Sequence, residues 1–372
     1  MNVAVIGFSD EARTIIYSLE QKLVDDVFIK YVLTDYKDLN NPIYNSIKQK
    51  VISNFAKIID DLSIDTVLVL EDTEESYHYI KYALFAKKNV VTSSTCVISR
   101  NYTELAKLAL ENNVGLYIDS SVNFPMAITN IINAKSLNKV YHFHTIIDIP
   151  TLEVIGVMKD KKLSLEEAKE FCKIKEIDKN KSINEFAILA MLCFDSKIDV
   201  NKIYYRGLDG LDLSFLNILD RLGYRLRLQG SAYFNDDEIE LVIEPVIHKD
   251  DCQLYHLDYL CTQSIIIYSS GMGYSIYTSK SGTNNKSIPI RNNINLIKND
   301  IKTNSIPKNN FDCFGNENTF AKYIIKAPNL DMNIVDKKIG DIYITKHISG
   351  TKIKELGEKI TFYARIDTQL SN

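Results

Sequence analysis

The first third of the chain alternates short apolar runs with helical patterns, and this alternation constrains the fold more than any other feature. Five apolar runs predict strands: Asn2–Gly7, Phe28–Leu33, Asp65–Leu70, Asn89–Thr92 and Gly115–Ile118. Between these runs, apolar residues recur at helical spacing. Strands that alternate with helices in this way pack as a parallel, doubly wound sheet with right-handed crossovers. We therefore expect an α/β, Rossmann-type domain over residues 1–122, completed by about residues 284–310.

Beyond Val122 the pattern changes to long strand-like stretches separated by helices. The strand-like stretches are Val140–Ile149, Glu238–Val246 and Ser264–Tyr277, and the helical segments are Leu165–Phe171 and Phe186–Phe194. This pattern is typical of an α+β domain, which we place at residues 123–283. Residues 311–372 contain further strand-like runs and one short helix, and they predict a small α+β extension.

The composition excludes several classes of function. The chain has 372 residues and a net charge of -4. Charges of both signs are interspersed, so no basic stripe is present and we expect no nucleic-acid partner. The N-terminal residues do not form a signal-peptide pattern, and no run of about 18 apolar residues occurs. We therefore expect a cytoplasmic protein without a membrane partner.

The cysteines and histidines do not predict a metal site. The six cysteines are scattered and include no C-x-x-C pair, which argues against both a zinc site and a disulfide framework. His142 and His144 would share one face of a strand. Two ligands do not make a metal site, so we predict no bound metal.

The turn after the first strand is a candidate phosphate loop. A dinucleotide fingerprint needs two glycines and a third small residue, and here these positions hold Gly7, Ser9 and Ala12. Carboxylates at the helix start favour the helix dipole but repel a diphosphate. A dinucleotide site and a well-capped helix start both fit this sequence. Asp35, after the second strand, could accept a ribose hydroxyl and would favour NAD over NADP.

The segment from Tyr205 to Ala232 resembles the interior of the substrate domain of homoserine dehydrogenases. These residues carry the resemblance: Gly207, Leu208, Gly210, Leu211, Gly223, Tyr224 and Arg227. The resemblance extends over roughly the first 300 residues. The resemblance implies an oxidoreductase that links aspartate semialdehyde and homoserine through NAD or NADP, a homodimer, and a substrate and dimerisation role for the second domain.

The segment Leu70–Thr95 resembles the family's third strand, helix and fourth strand. The scaffold positions match, among them Thr73, but the paired glycines are replaced by Glu71 and Asp72. An Ala-Asn-Lys triplet is replaced by Ser93, Ser94 and Thr95. In the family that lysine lies beside the substrate and helps to move a proton, which a threonine hydroxyl cannot supply near neutral pH. Thr95 therefore marks a catalytic position that has been substituted.

Aligned on the apolar run FAILAMLCF, Lys181 and Glu185 occupy the positions of the family's catalytic Asp and Lys, with the charges exchanged. Residues at i and i+4 face the same way on a helix, so an ion pair could persist. Lys181 could replace the missing acid, or the pair could be a solvated pair on a helix without chemistry. Both interpretations stay open.

The remaining family positions are also altered. The resemblance places Asp119, Thr151 and Asp212 at the substrate and Gly282 in the loop that closes over the cofactor. That loop also fits a flexible surface segment. The tail resembles an incomplete regulatory ACT module, one strand short, which could bind an amino-acid effector or serve as a dimerising or covering extension.

Two classes of function follow. One is a homoserine dehydrogenase-type enzyme that carries out the family reaction or an altered dehydrogenase reaction. The other is a non-catalytic homologue, diverged at most catalytic positions, that binds a small ligand or a partner.

Overall fold

The computed structural model describes residues 1–37, 40–118, 138–147, 149–174, 178–256, 262–280, 287–302 and 305–367. The chain divides into two compact units. The first comprises Met1–Asn133, Asp195–Lys197 and Gly282–Asn309, and the second comprises Ala134–Phe194, Ile198–Ser281 and Asn310–Asn372. The three domain boundaries expected from the sequence stay predictions.

The first unit contains a parallel sheet in the order β3-β2-β1-β4-β5-β6. Its strands are β1 (Asn2–Ile6), β2 (Phe28–Leu33), β3 (Val51–Ile52), β4 (Thr66–Val69), β5 (Asn89–Thr92) and β6 (Leu116–Ile118). This is the strand order of dinucleotide-binding Rossmann folds, so the predicted fold class is confirmed. The two-residue strand β3 was missed, since it is too short to show a hydrophobic period.

Helices connect the strands of this sheet. They span Asp10–Glu20, Pro42–Ile47, Ala56–Asp60, Ser76–Phe85, Thr95–Glu111 and Ser287–Lys298. The buried side chains of β1 and β4 pack against Ile15 and Ile16 of the first helix, and Ile294 of the last helix joins the same core. This contact explains why the segment near residue 290 returns to the first unit.

The second unit contains a mixed sheet that includes eleven strands of the described ranges. Seven of them come from the region before residue 315: β7 (Val140–Ile146), β8 (Tyr204–Tyr205), β9 (Arg225–Asn235), β10 (Glu238–His248), β11 (Thr262–Ser269), β12 (Gly273–Lys280) and β13 (Asp312–Phe314). The main path begins β12-β11-β7-β9-β10. β9 and β10 form a hairpin whose turn residues, Asp236 and Asp237, both have positive φ, as two-residue hairpin turns require.

Two strand predictions in this unit were wrong in extent. The stretch Ser264–Tyr277 is a hairpin of β11 and β12, because the glycine-containing turn at residues 270–272 reverses the chain. The stretch Val140–Ile149 ends as a strand at Ile146, and Ile149 begins a helix. The helices of this unit are Ile149–Lys161, Leu165–Phe171, Lys179–Phe194, Leu213–Arg221 and Gly350–Leu356.

The tail continues the sheet of the second unit. Its strands are β14 (Phe320–Ala321), β15 (Tyr323–Lys326), β16 (Val335–Ile339), β17 (Ile342–Thr345), β18 (Ile348–Ser349) and β19 (Phe362–Ile366). The order β19-β15-β17-β16 is ferredoxin-like, and β19 pairs in parallel with β10. The expectation that the tail lacks one strand was wrong, since Val335–Ile339 supplies it. The first helix of such a module is reduced to the 3-10 turn Met332–Ile334.

None of the helices in the described ranges combines the length and the hydropathy that a membrane crossing requires.

Candidate functional site

The strand order of the first sheet reverses between β1 and β4, and ligands of open α/β sheets bind at the carboxyl ends of the strands at such a point. Gly7 follows β1 with a φ of +107°. Glu71 follows β4, and its side chain lies against Gly7, since a Cβ atom built on Gly7 would be 2.4 Å from the Glu71 Cγ. The bare backbone of the predicted phosphate loop is therefore covered by a carboxylate-bearing side chain.

This edge of the sheet is acidic. Burial raises the pKa of Glu71, and the negative charges of Asp35 and Glu75 raise it further. Asp35 is exposed after β2, where the sequence analysis placed it. Carboxylates that raise one another's pKa repel additional negative charge, so the edge disfavours the phosphates of a dinucleotide.

Ser9 caps the helix Asp10–Glu20. Its Oγ accepts a hydrogen bond from the Ala12 N–H at 3.2 Å and donates to the Leu70 carbonyl at 3.3 Å. A backbone N–H that could meet a phosphate is thus bonded within the chain. Arg13, a cation of the first two turns of this helix, donates to the Phe8 carbonyl at 3.1 Å and pairs with Asp10.

Asp72 caps the helix Thr95–Glu111. Its carboxylate accepts hydrogen bonds from the Thr95 hydroxyl at 2.6 Å, the Cys96 N–H at 2.9 Å and the Ser94 hydroxyl at 3.2 Å. Burial raises the pKa of the Cys96 thiol to about 11. Asp72 stands where the family has a glycine, and Ser94 and Thr95 stand where it has Asn-Lys. These three residues are therefore joined by hydrogen bonds, in which the Thr95 hydroxyl donates to the Asp72 carboxylate.

Two further predicted cofactor positions flank this contact. The Ser93 side chain is buried, and its N–H donates to the Val69 carbonyl at 3.1 Å. Thr73 is exposed, with its Oγ1 3.4 Å from the Ser76 Oγ. Gly282 and Asp119 lie outside the described residues, so their predicted roles stay predictions.

Lys181 and Glu185 lie on one face of the helix Lys179–Phe194 in the second unit. The Lys181 Nζ is 4.0 Å from the Glu185 Oε1, and the Lys181 side chain is 41% exposed while that of Glu185 is 6% exposed. A half-exposed lysine beside a buried carboxylate fits either interpretation of this pair, a substitute acid or a structural ion pair.

Two of the predicted substrate positions, Thr151 and Asp212, are among the described residues, and both lie in the second unit. Thr151 is fully buried in the first turns of the helix Ile149–Lys161. Asp212 caps the helix Leu213–Arg221 through the Phe215 N–H at 2.9 Å and forms an ion pair with Lys326 of β15. Burial alone would raise the pKa of Asp212, but the bonds from Lys326 and Phe215 lower it overall. The substrate roles of both residues stay predictions.

Comparison with known proteins bears on this arrangement. No family model matches the chain. Over 265 residues it is 24% identical to the homoserine dehydrogenase of Bacillus subtilis strain 168, covering 68% of this chain and 60% of that protein. The crystal structure of a homoserine dehydrogenase from Thiobacillus denitrificans has a TM-score of 0.85 at 15% identity, covering 99% of this chain and 98% of that chain. The chain is thus similar to homoserine dehydrogenases in sequence, and it shares their fold.

These similarities confirm the resemblance found in the sequence. A hyperthermophilic archaeal homoserine dehydrogenase mutant, solved in complex with NADPH, has a TM-score of 0.65 at 17% identity and covers 80% of this chain and 98% of that chain. The sequence match spans 60% of the length of the Bacillus protein. The positions at which this chain departs from the family pattern, Glu71, Asp72 and Thr95, contact other residues at this edge of the sheet.

Sequence reasoning missed a buried polar network in the second unit. Arg365 of β19 donates to Glu244 of β10 at 2.7 Å and to the Ser231 hydroxyl of β9 at 3.1 Å. The Ser231 hydroxyl also lies 3.2 Å from Nδ1 of His144, a residue of β7, and burial lowers the pKa of His144 to about 3. Only the strand pairing brings these residues together, so no local sequence pattern signals the network.

Arg227, which belongs to the family's basic strand, is part of the same buried region. Its guanidinium is fully buried and donates to the carbonyls of Leu254 and Tyr255, each at 3.3 Å. Arg227 therefore fastens the segment after β10 to the sheet.

Proposed function

We propose that this chain is a homoserine dehydrogenase-like protein of oxidoreductase descent that does not carry out the family's NAD(P)-dependent reaction and acts instead as a ligand- or partner-binding protein. The observation that carries the proposal is the Glu71 side chain lying against Gly7, at the point where a dinucleotide would approach the backbone.

Electrostatics support this proposal. Two like charges about 4 Å apart cost on the order of 1 kcal/mol even in water. The edge of the sheet carries Asp35, Glu71 and Glu75, and a dinucleotide adds two negative phosphates. The nearby cation Arg13 is engaged by Asp10 and by a carbonyl.

The proton chemistry supports it as well. A positioned general acid contributes about 10²- to 10⁴-fold to a rate. The family has a lysine at the position that Thr95 occupies in this chain. The Thr95 hydroxyl donates a hydrogen bond to Asp72. A hydroxyl bonded in this way lacks the near-neutral pKa of an efficient general acid, so on this proposal the family reaction loses a main contribution.

The test is a hydride-transfer assay in both directions, with homoserine and NAD or NADP, and with aspartate semialdehyde and NADH or NADPH. We expect no turnover above the rate without protein. Glu71→Gly is expected to bind nucleotide more tightly than the wild type, whereas Glu74→Gly, at an exposed neighbouring acid, serves as the matched control. Turnover by the wild type at rates typical of enzymes would refute the proposal.

A second candidate function is a dehydrogenase that uses Lys181 as its acid. It is favoured by the half-exposed position of Lys181 beside the buried carboxylate of Glu185. In a wild-type protein with measurable turnover, Lys181→Ala would then lose at least about 100-fold in kcat. Unchanged turnover in Lys181→Ala would remove this candidate.

We also propose that the chain binds a small amphoteric ligand in the second unit. A cavity of about 360 Å³, within the usual range of ligand pockets, is lined by Lys202, Lys354, Glu317, Tyr204 and other residues. Lys354 and Glu317 form an ion pair at this cavity, and an amino acid would replace that pair with contacts to its own carboxylate and ammonium group. In thermal-shift titrations with each common amino acid, one should raise the melting temperature. Lys354→Met should abolish that shift, and the exposed control Lys346→Met should retain it.

The homodimer is likewise a proposal. Among the described residues, β12 lies at one end of the main path of its sheet, and its Tyr274 and Ile276 side chains are 52% and 41% exposed. An apolar edge of this kind suits pairing with a second copy. Ile276→Asp should shift a dimer toward monomer in analytical ultracentrifugation, whereas Leu62→Asp, at an apolar residue 95% exposed in the first unit, should not. The cytoplasmic location remains a prediction.

A further inference from the structure

Three side chains of different chemistry meet where β10 and β19 end. His248 is the last residue of β10, Cys252 follows one turn later, and Asp367 follows β19. The Cys252 Sγ lies 3.3 Å from the His248 Nδ1, and the Asp367 Oδ2 lies 3.2 Å from the same nitrogen. The three atoms all lie within 4.8 Å of one another. A thiol, an imidazole and a carboxylate therefore converge on one point.

Two of the three separations fit a tetrahedral metal ion, and the third, between the Cys252 and Asp367 ligand atoms, is within 4.8 Å and can shorten when an ion binds. Zinc binds nitrogen and carboxylate oxygen at about 2.0–2.2 Å and thiolate sulfur at about 2.3 Å, so tetrahedral ligand atoms lie about 3.3–3.6 Å apart. The two separations from the His248 Nδ1 are within a few tenths of an ångström of these values. That nitrogen carries at most one proton, so it cannot give Cys252 and Asp367 each a full hydrogen bond. A cation between the three atoms would bind all of them.

The backbone holds the three residues in place. The Asp367 N–H donates to the Ile247 carbonyl at 3.0 Å, and the Cys252 N–H donates to the Lys249 carbonyl at 3.0 Å. The side chains of His248 and Asp367 are 0% and 2% exposed, and Cys252 is also buried. Because the three side chains are buried and their backbone is held by hydrogen bonds, they lose little conformational entropy when they bind an ion.

The charges of the surroundings are compatible with zinc. Burial lowers the pKa of His248, although its contact with Asp367 opposes this shift. Burial raises the pKa of Cys252 to about 11, although the N–H groups of Leu254 and Tyr255 oppose this. The charges of Arg227 and Arg365 also act on His248. One thiolate and one carboxylate neutralise Zn²⁺, so the occupied site is neutral, whereas the metal-free site carries the single negative charge of Asp367.

We propose that His248, Cys252 and Asp367 form a zinc site that cross-links the end of β19 to the end of β10. The mixed nitrogen, sulfur and oxygen ligand set favours zinc over magnesium or calcium, which take oxygen ligands. The thiol loses its proton to solvent when the ion binds. Three protein ligands leave one tetrahedral position for a water molecule. This inference is independent of whether the first unit binds a nucleotide.

Cobalt substitution tests the proposal directly. The full chain, purified without a metal-binding tag and stripped with a chelator, is titrated with Co²⁺ under anaerobic conditions. We expect one equivalent to bind, with a thiolate-to-cobalt charge-transfer band and the intense visible bands of four-coordinate cobalt. Zinc should displace the cobalt and raise the melting temperature of the chain. Mass spectrometry of the protein as isolated should find about one zinc per chain.

Variants assign the ligands. Cys252→Ser should remove the charge-transfer band, whereas Cys313→Ser, at a half-buried thiol of the same unit, should keep it. Asp367→Asn should weaken cobalt binding by more than about 10-fold, the loss seen when even an outer-shell partner is removed. Absence of the band in the wild type would overturn the proposal without reference to any variant, and so would a band that survives Cys252→Ser. In that case the three residues form only a metal-free hydrogen-bonded cluster.

Discussion

Replacing Asp72 with alanine removes the carboxylate that joins β4 to the helix Thr95–Glu111. Three hydrogen bonds are lost, from the Thr95 hydroxyl, the Cys96 N–H and the Ser94 hydroxyl. Loss of a helix cap costs about 1 kcal/mol. A further hydrogen bond to a charged acceptor contributes about 1.5–3 kcal/mol when buried, which we reduce because Asp72 is exposed. The expected loss in the free energy of unfolding is about 2–3 kcal/mol.

Urea unfolding followed by far-ultraviolet circular dichroism measures this loss, since the chain contains no tryptophan for fluorescence. At about 2–4 °C per kcal/mol for a unit of this size, the melting temperature should fall by about 4–12 °C. Asp72→Asn keeps one carbonyl acceptor and should lose less. Asp25→Ala, at an exposed carboxylate of the same unit, is the control and should change stability by less than about 0.5 kcal/mol. A loss in Asp72→Ala no larger than in this control would refute the reasoning.

Other substitutions test the charged groups. The pKa of Glu71 is raised in the folded chain, so ionisation of Glu71 at neutral pH destabilises the fold. Glu71→Gln should therefore raise the urea midpoint at neutral pH. In acid, where Glu71 is protonated, the substitution should give no such gain. Glu244→Ala leaves Arg365 buried without its counter-charge and should cost about 3–5 kcal/mol, most of which the double change of both residues to methionine should restore. The pKa of His144 is about 3 in the folded chain and about 6.5 in the unfolded chain. The contribution of neutral His144 to the free energy of unfolding is therefore lost as the pH falls from the higher value to the lower. His144→Asn should flatten this decline, as measured by chemical denaturation at each pH.

The sequence predicted those parts of the fold that depend on local pattern. β2 and β5 begin and end where the apolar runs do, because each run is bounded by polar or turn residues. The start of the helix Thr95–Glu111 was not predictable in this way, since its first turn is set by the cap from Asp72. That cap is a contact across the sheet and leaves no helical period in the sequence.

The candidate site was predictable only in its positions. The spacing of Gly7, Ser9 and Ala12 drew attention to the turn after β1, and the bonds of Ser9 are consistent with the alternative of a well-capped helix start. No sequence pattern could show that Glu71 lies on Gly7, because that contact depends on the packing of β4 beside β1.

The ligand cluster at the ends of β10 and β19 was missed for a related reason. Cysteine spacing argued against a zinc site, whereas the structure combines a single cysteine with His248 and with the distant Asp367. The parallel register of Val246 with Arg365 places Asp367 there, and long-range register cannot be read from one sequence.

The most direct test of the central claim, that the chain's own carboxylates occupy the cofactor edge, is an isothermal titration of the wild-type protein with NADPH, repeated with NADP, NADH and NAD. We expect no saturable heat at millimolar nucleotide, and a measurable affinity to appear in Glu71→Gly. Binding of one nucleotide per chain to the wild type with a micromolar Kd would contradict the account.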